Sequence, residues 1–273
     1  MWRYDPRLHR EVAVNHISAI KRLIEGEQLG AVVTVVEGVG AGQKAVVDYE
    51  RGVIAGALRP GIEDAVLEDA AELMEREQSR TLTYGELSVF IETIAPQPLM
   101  MIFGAGHNAQ PLTTMAKQLG FKVVVGDARP MWATEDRFPD ADEVIVGWPD
   151  AVFERVPLDR RTYVVLLSHD ARFEDPVFGE VRGKPIRYLG AIGSRRTHRA
   201  RLERLAAEGW TQEELDSIYG PVGLDIGAET PAEMAVSILA EIIQARYGAG
   251  SGLSLRGESG RVHKQRGVEE GTA

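Results

Sequence analysis

Three short stretches of this chain carry residues suited to holding an anion or moving a proton. The first is Gly104-Ala105-Gly106-His107-Asn108-Ala109. It follows an apolar run and opens a helical segment, and the next apolar run closes on Asp127. That is the order of a dinucleotide-binding βαβ unit. Gly104 permits a tight turn, Gly106 lets a phosphate approach the backbone, and Ala109 lets helix and strand pack closely. The helix N-terminus then offers unpaired N–H groups and a positive dipole end. Asp127 could bind both hydroxyls of a ribose. The alternative is a Rossmann-like fold whose glycines serve only packing.

The second stretch is Ser168-His169-Asp170, directly after the apolar run at 163–167. His169 and Asp170 could form an acid–base pair, since imidazole titrates near neutrality. The plainer alternative is a turn whose polar side chains bond the backbone. The third is Gly190-Ala-Ile-Gly193-Ser194-Arg195-Arg196. A glycine turn entering a helix with two arginines suits a second phosphate. A capped helix with solvent-facing arginines is the competing reading. Asp225, in the polar loop at 223–229, is either a ligand contact or a turn residue. The six histidines form no HExxH or other metal signature, and there is no serine nucleophile elbow or Walker lysine.

For these stretches to converge they must sit beyond the carboxyl ends of a parallel sheet. The pattern after residue 98 supports one, because short apolar runs alternate with helical segments. The expected strands are 100–103, 122–125, 143–146, 163–167 and 186–189. Ser194 is a candidate N-cap. Thr230-Pro231-Ala232-Glu233 is a capping box with proline in the first turn, ahead of an apolar helix that Gly248 ends. Residues 249–273 read as a disordered tail.

Ahead of Ala95-Pro96-Gln97-Pro98, which favours an extended linker, lies a smaller α+β unit. Helices are expected over 12–24 (Val12, Ile17, Ile20, Leu23 and Ile24) and from Ile62 to Met74. Strands are expected at 31–36, 44–48, 52–55, 80–84 and 87–92. The division is therefore 1–95, 99–248 and the tail. The fold class is α/β, a Rossmann-like parallel-sheet C-terminal domain with a smaller α+β N-terminal domain.

A net charge of −10 argues against nucleic-acid and anionic-membrane partners. The absence of cysteine excludes disulfides, thiolate metal sites and a cysteine nucleophile in this chain. No apolar leader and no run of ~18 apolar residues is visible, so a cytoplasmic location is expected.

Several motifs occur in order: Phe103-Gly-Ala-Gly-His107, Asp127-x-Arg129-Pro130, Arg137-Phe138-Pro139, Ser168-His-Asp170, Gly190-Ala-Ile-Gly-Ser-Arg-Arg196, and Gly223-Leu-Asp-Ile-Gly227 through Thr230-Pro-Ala-Glu233. Together, over residues 99–248, they resemble the XdhC/CoxI family of accessory proteins for xanthine dehydrogenase and related molybdenum hydroxylases. The resemblance implies an accessory protein rather than an enzyme. It would bind the molybdenum cofactor (molybdopterin, or its dinucleotide form), aid its sulfuration and help insert it into a client. The implied partners are an apo-hydroxylase of xanthine or carbon monoxide dehydrogenase type and a cysteine desulfurase. A homodimer is also expected, from the resemblance and from the long apolar helix at 231–247.

The candidate cofactor-binding residues are Gly104, Gly106, His107, Asn108, Asp127, Arg129, Ser168, Gly193, Ser194, Arg195, Arg196 and Asp225. The competing reading is an NAD(P)-dependent oxidoreductase, with His169 and Asp170 as the candidates for catalysis, or a nucleotide-binding protein of unknown substrate. The N-terminal half departs from the family pattern. Gly38-Val39-Gly40-Ala41-Gly42-Gln43 stands where members often carry Gly-Ser-x-Pro-Arg. Ala55-Gly56-Ala57-Leu58 stands where they often carry Gly-Gly-Cys-Val-Glu. A role resting on that cysteine is absent.

Overall fold

The computed structural model describes residues 15–58 and 61–257. They fall into two compact units that divide between Leu99 and Met100. Residues 95–98, around the two prolines, carry no regular structure.

In the first unit, alternating side chains put the two faces of one sheet against two helices. The strands are β1 (Gly30–Glu37), β2 (Lys44–Asp48), β3 (Gly52–Gly56), β4 (Arg80–Tyr84) and β5 (Leu87–Ile94), in the order β3-β2-β1-β5-β4. All four neighbouring pairs are antiparallel. Ala31, Val33 and Val35 share a core with Val66, Ala70, Leu73 and Met74 of α2 (Glu63–Glu75). Val46 and Ala55, on the other face, meet Ala19 and Leu23 of α1 (His16–Glu25). The expected apolar face of α1 needs correction. Only Leu23 of its named members is fully buried, while Ile17 and Ile24 are 72% and 59% exposed. The buried stripe is Ala19 and Leu23, four residues apart, with Ile20 half-buried beside them, while Ile17 and Ile24 lie outside it. Val12 lies outside the described residues.

The second unit holds six strands: β6 (Leu99–Phe103), β7 (Lys122–Asp127), β8 (Glu143–Val146), β9 (Thr162–Leu166), β10 (Tyr188–Ala191) and β11 (Ile218–Tyr219). Their order is β11-β10-β9-β6-β7-β8. Read from β8, the chain runs 3-2-1-4-5-6, the doubly wound order whose direction reverses between β6 and β9. β6, β7 and β9 have almost no polar side chains, as a sheet covered on both faces requires. Met100, Ile102, Val123, Val125 and Val165 share a core with Leu112 and Ala116 of α3 (Ala109–Gln118) and Ile238 and Ile242 of α8 (Pro231–Tyr247).

Several elements differ from the sequence expectation. β10 starts at Tyr188 rather than 186, because Ile186 N–H is drawn into a turn with Lys184 O before pairing begins. Helices α4 (Pro149–Arg155), α5 (Ala171–Val181), α6 (Arg195–Ala207) and α7 (Gln212–Asp216) link the later strands. Of these only the start of α6 was expected from the sequence, although Thr211 and Glu214 form a capping box at α7 and Asp170 caps α5. α5 contains Pro176 and α7 has five residues, so both escape periodicity. The tail expected to be disordered is ordered at first: Gln244 Nε2 donates to Gly250 O, and Leu255–Gly257 forms a 3-10 turn. The remainder, 258–273, lies outside the described residues.

Candidate functional site

Two of the three polar stretches meet at the reversal point of the second sheet. Leu167 N–H donates to Phe103 O and Gly104 N–H donates to Gly126 O, both at 2.8 Å. The turn after β6 is therefore stitched to both neighbouring strands. Gly104 has φ +109, and a Cβ there would stand 3.0 Å from Leu167 C and Ser168 N. Only glycine meets both demands. Gly106 differs: a Cβ on it would have no heavy atom within 4 Å. Space therefore opens directly over its backbone. Asn108 precedes α3 in helical conformation without a side-chain capping bond. In this first turn Ala109 N–H donates to Gly106 O, Leu112 N–H donates to Asn108 O and Pro111 has no N–H, so Gln110 N–H is the helix-start donor left for an anion. His107 is exposed at its tip.

Asp127 closes β7, and its carboxylate is engaged on every side. Oδ1 accepts from Arg129 N–H and Nε at 2.9 Å each. Oδ2 accepts from Ala105 N–H and from Arg129 Nη2, both at 2.7 Å. Burial alone would raise this group's pKa. The Arg129 and Ala105 hydrogen bonds and the guanidinium charge outweigh burial and hold it below the usual carboxylate range.

Sequence reasoning passed over Trp132 and did not count Arg137 among the binding residues. Arg129 Cζ lies 4.8 Å and Arg137 Cζ 4.7 Å from the Trp132 ring centre. His107 meets the same ring edge-on at 5.6 Å. Arg137 Nη1 donates to Trp132 O at 2.7 Å and to Ala105 O at 3.0 Å. The segment after β7 is thereby bolted to the glycine turn. The motif Arg137-Phe138-Pro139 was the available signal, though it did not say what the arginine touches.

After β9, Ser168 Oγ accepts from Asp170 N–H at 3.1 Å. Asp170 caps α5 by accepting from Arg172 N–H, and its carboxylate pairs with the Arg172 side chain. Asp170 thus serves Arg172 and the helix start rather than His169. Its pKa is lowered by the Arg172 hydrogen bonds.

After β10, Ser194 caps α6 by accepting from Thr197 N–H at 3.0 Å. Gly193 has φ +147, and a Cβ there would crowd Thr197 at 3.2 Å. Arg195 and Arg196 are exposed and have no hydrogen bond or ion pair with a described residue. Asp225 is exposed on the loop after β11. That loop is tied to the end of β10 by Val222 N–H donating to Ala191 O, and to α8 by Gly223 N–H donating to Glu241 and Ser237 Oγ donating to Leu224 O. Among the described residues, no cluster of three His, Asp or Glu could hold a metal, and no helix is long and apolar enough to cross a membrane.

The family model described as the XdhC Rossmann domain matches residues 100–242, just over half of the chain. A Bacillus subtilis (strain 168) protein, named as a probable xanthine dehydrogenase subunit, is 35% identical over 159 residues, which cover 58% of this chain and 46% of that protein. The Escherichia coli (strain K12) "Molybdenum cofactor insertion chaperone PaoD" is 32% identical over 168 residues, covering 62% of this chain and 46% of that protein. The matched region is thus under half the length of each of these curated relatives. A crystal structure described as a xanthine dehydrogenase from Bacillus halodurans shares the fold, with a TM-score of 0.50 at 21% identity, over 84% of this chain and 93% of that one.

Proposed function

Because the chain belongs to the XdhC family, we propose that its parallel-sheet unit binds the molybdenum cofactor by its phosphate and passes it to a molybdenum hydroxylase. One observation carries the reading. Open backbone at Gly106, before an uncapped helix start, shares the carboxyl edge of the sheet with the unengaged Arg195 and Arg196. A phosphate needs several N–H donors and a cation, and these groups supply both. Gly106 and the α3 N-terminus would take the phosphate. Arg195 and Arg196 would neutralise the cofactor's remaining charge.

The client would be an enzyme of xanthine or carbon monoxide dehydrogenase type, reached in the cytoplasm. With no cysteine in the chain, sulfur for the cofactor would come from a partner, for which a cysteine desulfurase is the proposed source. The NAD(P) alternative fits the side chains less well. The acid expected to hold a ribose is fully bonded, and His169 lacks Asp170 as its partner.

The test is to purify the protein from a molybdenum-replete host, or incubate it with free cofactor, and assay bound pterin by fluorescence after oxidation. Retained pterin, with stabilisation of about 2.7 kcal/mol at a hundred times the dissociation constant, is the expected result. No pterin in either preparation overturns the proposal.

A further inference from the structure

A nucleotide bound to a doubly wound sheet places its ribose over the end of the second strand, where a free carboxylate accepts the sugar hydroxyls. Here that strand end is Asp127, and its carboxylate is not free. A carboxylate has about four acceptor positions. Arg129 N–H, Arg129 Nε, Arg129 Nη2 and Ala105 N–H fill them, and the residue is 3% exposed. A ribose would therefore have to evict Arg129, and breaking the fourth bond would loosen the glycine turn itself. Arg129 presents the opposite character. Its side chain is 58% exposed and spends only Nε and Nη2 on Asp127. Its other N–H groups stay available to an anion, while the guanidinium is steadied on the Trp132 ring.

Resting on the cofactor reading above, we infer that the Asp127–Arg129 pair sets ligand choice: the site takes the pterin as its phosphate monoester and disfavours the form extended by a nucleotide. Arg129 is the specificity-determining residue. Asp127 is a positioning residue that holds both Arg129 and the turn.

The experiment measures, without oxygen, the affinity of the full chain for molybdopterin and for its dinucleotide form, in wild type and Arg129→Ala. The expected wild-type preference for the monoester is about tenfold or more, the cost of a hydroxyl pair left without acceptors. Arg129→Ala, which removes the two guanidinium donors and leaves the backbone N–H groups of Ala105 and residue 129 on Asp127, narrows that ratio. Equal wild-type affinities, or a preference for the dinucleotide form, overturn this inference and leave the cofactor reading standing. If neither ligand is retained, both fall. The wild-type ratio needs no variant, so a misfolded Arg129→Ala protein does not protect the inference.

Discussion

The Arg201 guanidinium meets the Glu174 carboxylate through Nε and Nη2, at 3.0 Å each, with 1% and 4% of the two side chains exposed. The same Nη2 donates to Ile192 O at 2.9 Å, one residue before Gly193. One buried side chain therefore joins α5, which starts at the β9 turn, to the backbone entering the β10 turn. Replacing Arg201 by Met leaves the buried Glu174 carboxylate with the longer Arg204 ion pair at 3.8 Å and should cost about 3 kcal/mol. The double variant Arg201→Met, Glu174→Leu should recover much of that loss. Urea unfolding of the two variants checks both statements. A loss under ~1 kcal/mol in the single variant would show the pair to be dispensable.

Gly104 and Gly106 are two residues apart and should fail differently. Gly104→Ala forces φ +109 on a side chain and drives it against the Leu167–Ser168 backbone, so stability should fall by about 1–3 kcal/mol. Gly106→Ala enters open space and should leave stability within about 0.5 kcal/mol, yet bound pterin should be lost. Thermal melts beside pterin assays separate the two. Equal loss of stability in both variants would show that Gly106 serves the fold rather than a ligand.

Arg195 and Arg196 make no contact that the fold needs, so Arg195→Ala, Arg196→Ala should melt within experimental error of wild type. Pterin retention should fall at least about tenfold, the loss of one to two charge-assisted hydrogen bonds. Undiminished retention would remove the β10 turn from the site.

Acid should weaken this protein in two steps. His198 is held below its ordinary pKa by burial and then by the Arg201 charge. Below about pH 6.5 the unfolded chain takes up a proton that the folded imidazole resists, so stability falls there and is complete above. Asp127 is also depressed in the folded state. Its contribution is complete above about pH 4 and is lost as pH drops further through the folded value. Asp142, bonded to Lys117 and Val123 N–H, shares that lower window. Unfolding free energies from pH 8 to pH 3 should show both declines. His198→Gln should flatten the upper one, and Asp127→Asn should shrink the lower one without abolishing it.

The order of turn, helix and acid around Gly104 was legible because each demand falls on backbone conformation or close packing, and glycine spacing records both. The Ser194 cap and the Thr230–Glu233 capping box were legible for the same reason: short-range bonds leave short-range signals. The engagement of Asp127 was not. A carboxylate at that spacing reads as a ligand contact, and only the folded path of Arg129 and Ala105 shows it already bonded. Trp132 was invisible because its role depends on two arginines, three and five residues away, arriving at one ring. The plainer reading of Ser168-His169-Asp170, a turn whose polar side chains bond the backbone, matches the Ser168 and Asp170 bonds, but it did not extend to the Arg172 side chain. An arginine two residues on reaches Asp170 better than the neighbouring histidine once a helix begins.

Ala105 has both of its main-chain groups spoken for: its N–H by Asp127 and its carbonyl by Arg137. The turn therefore holds its shape before anything arrives, and an incoming phosphate surrenders its own freedom without also having to order a loop. The same rigidity bears on departure. A turn clamped at both ends has no hinge to swing aside, so cargo would leave by breaking its own contacts one at a time, and a recipient could capture it part-way out.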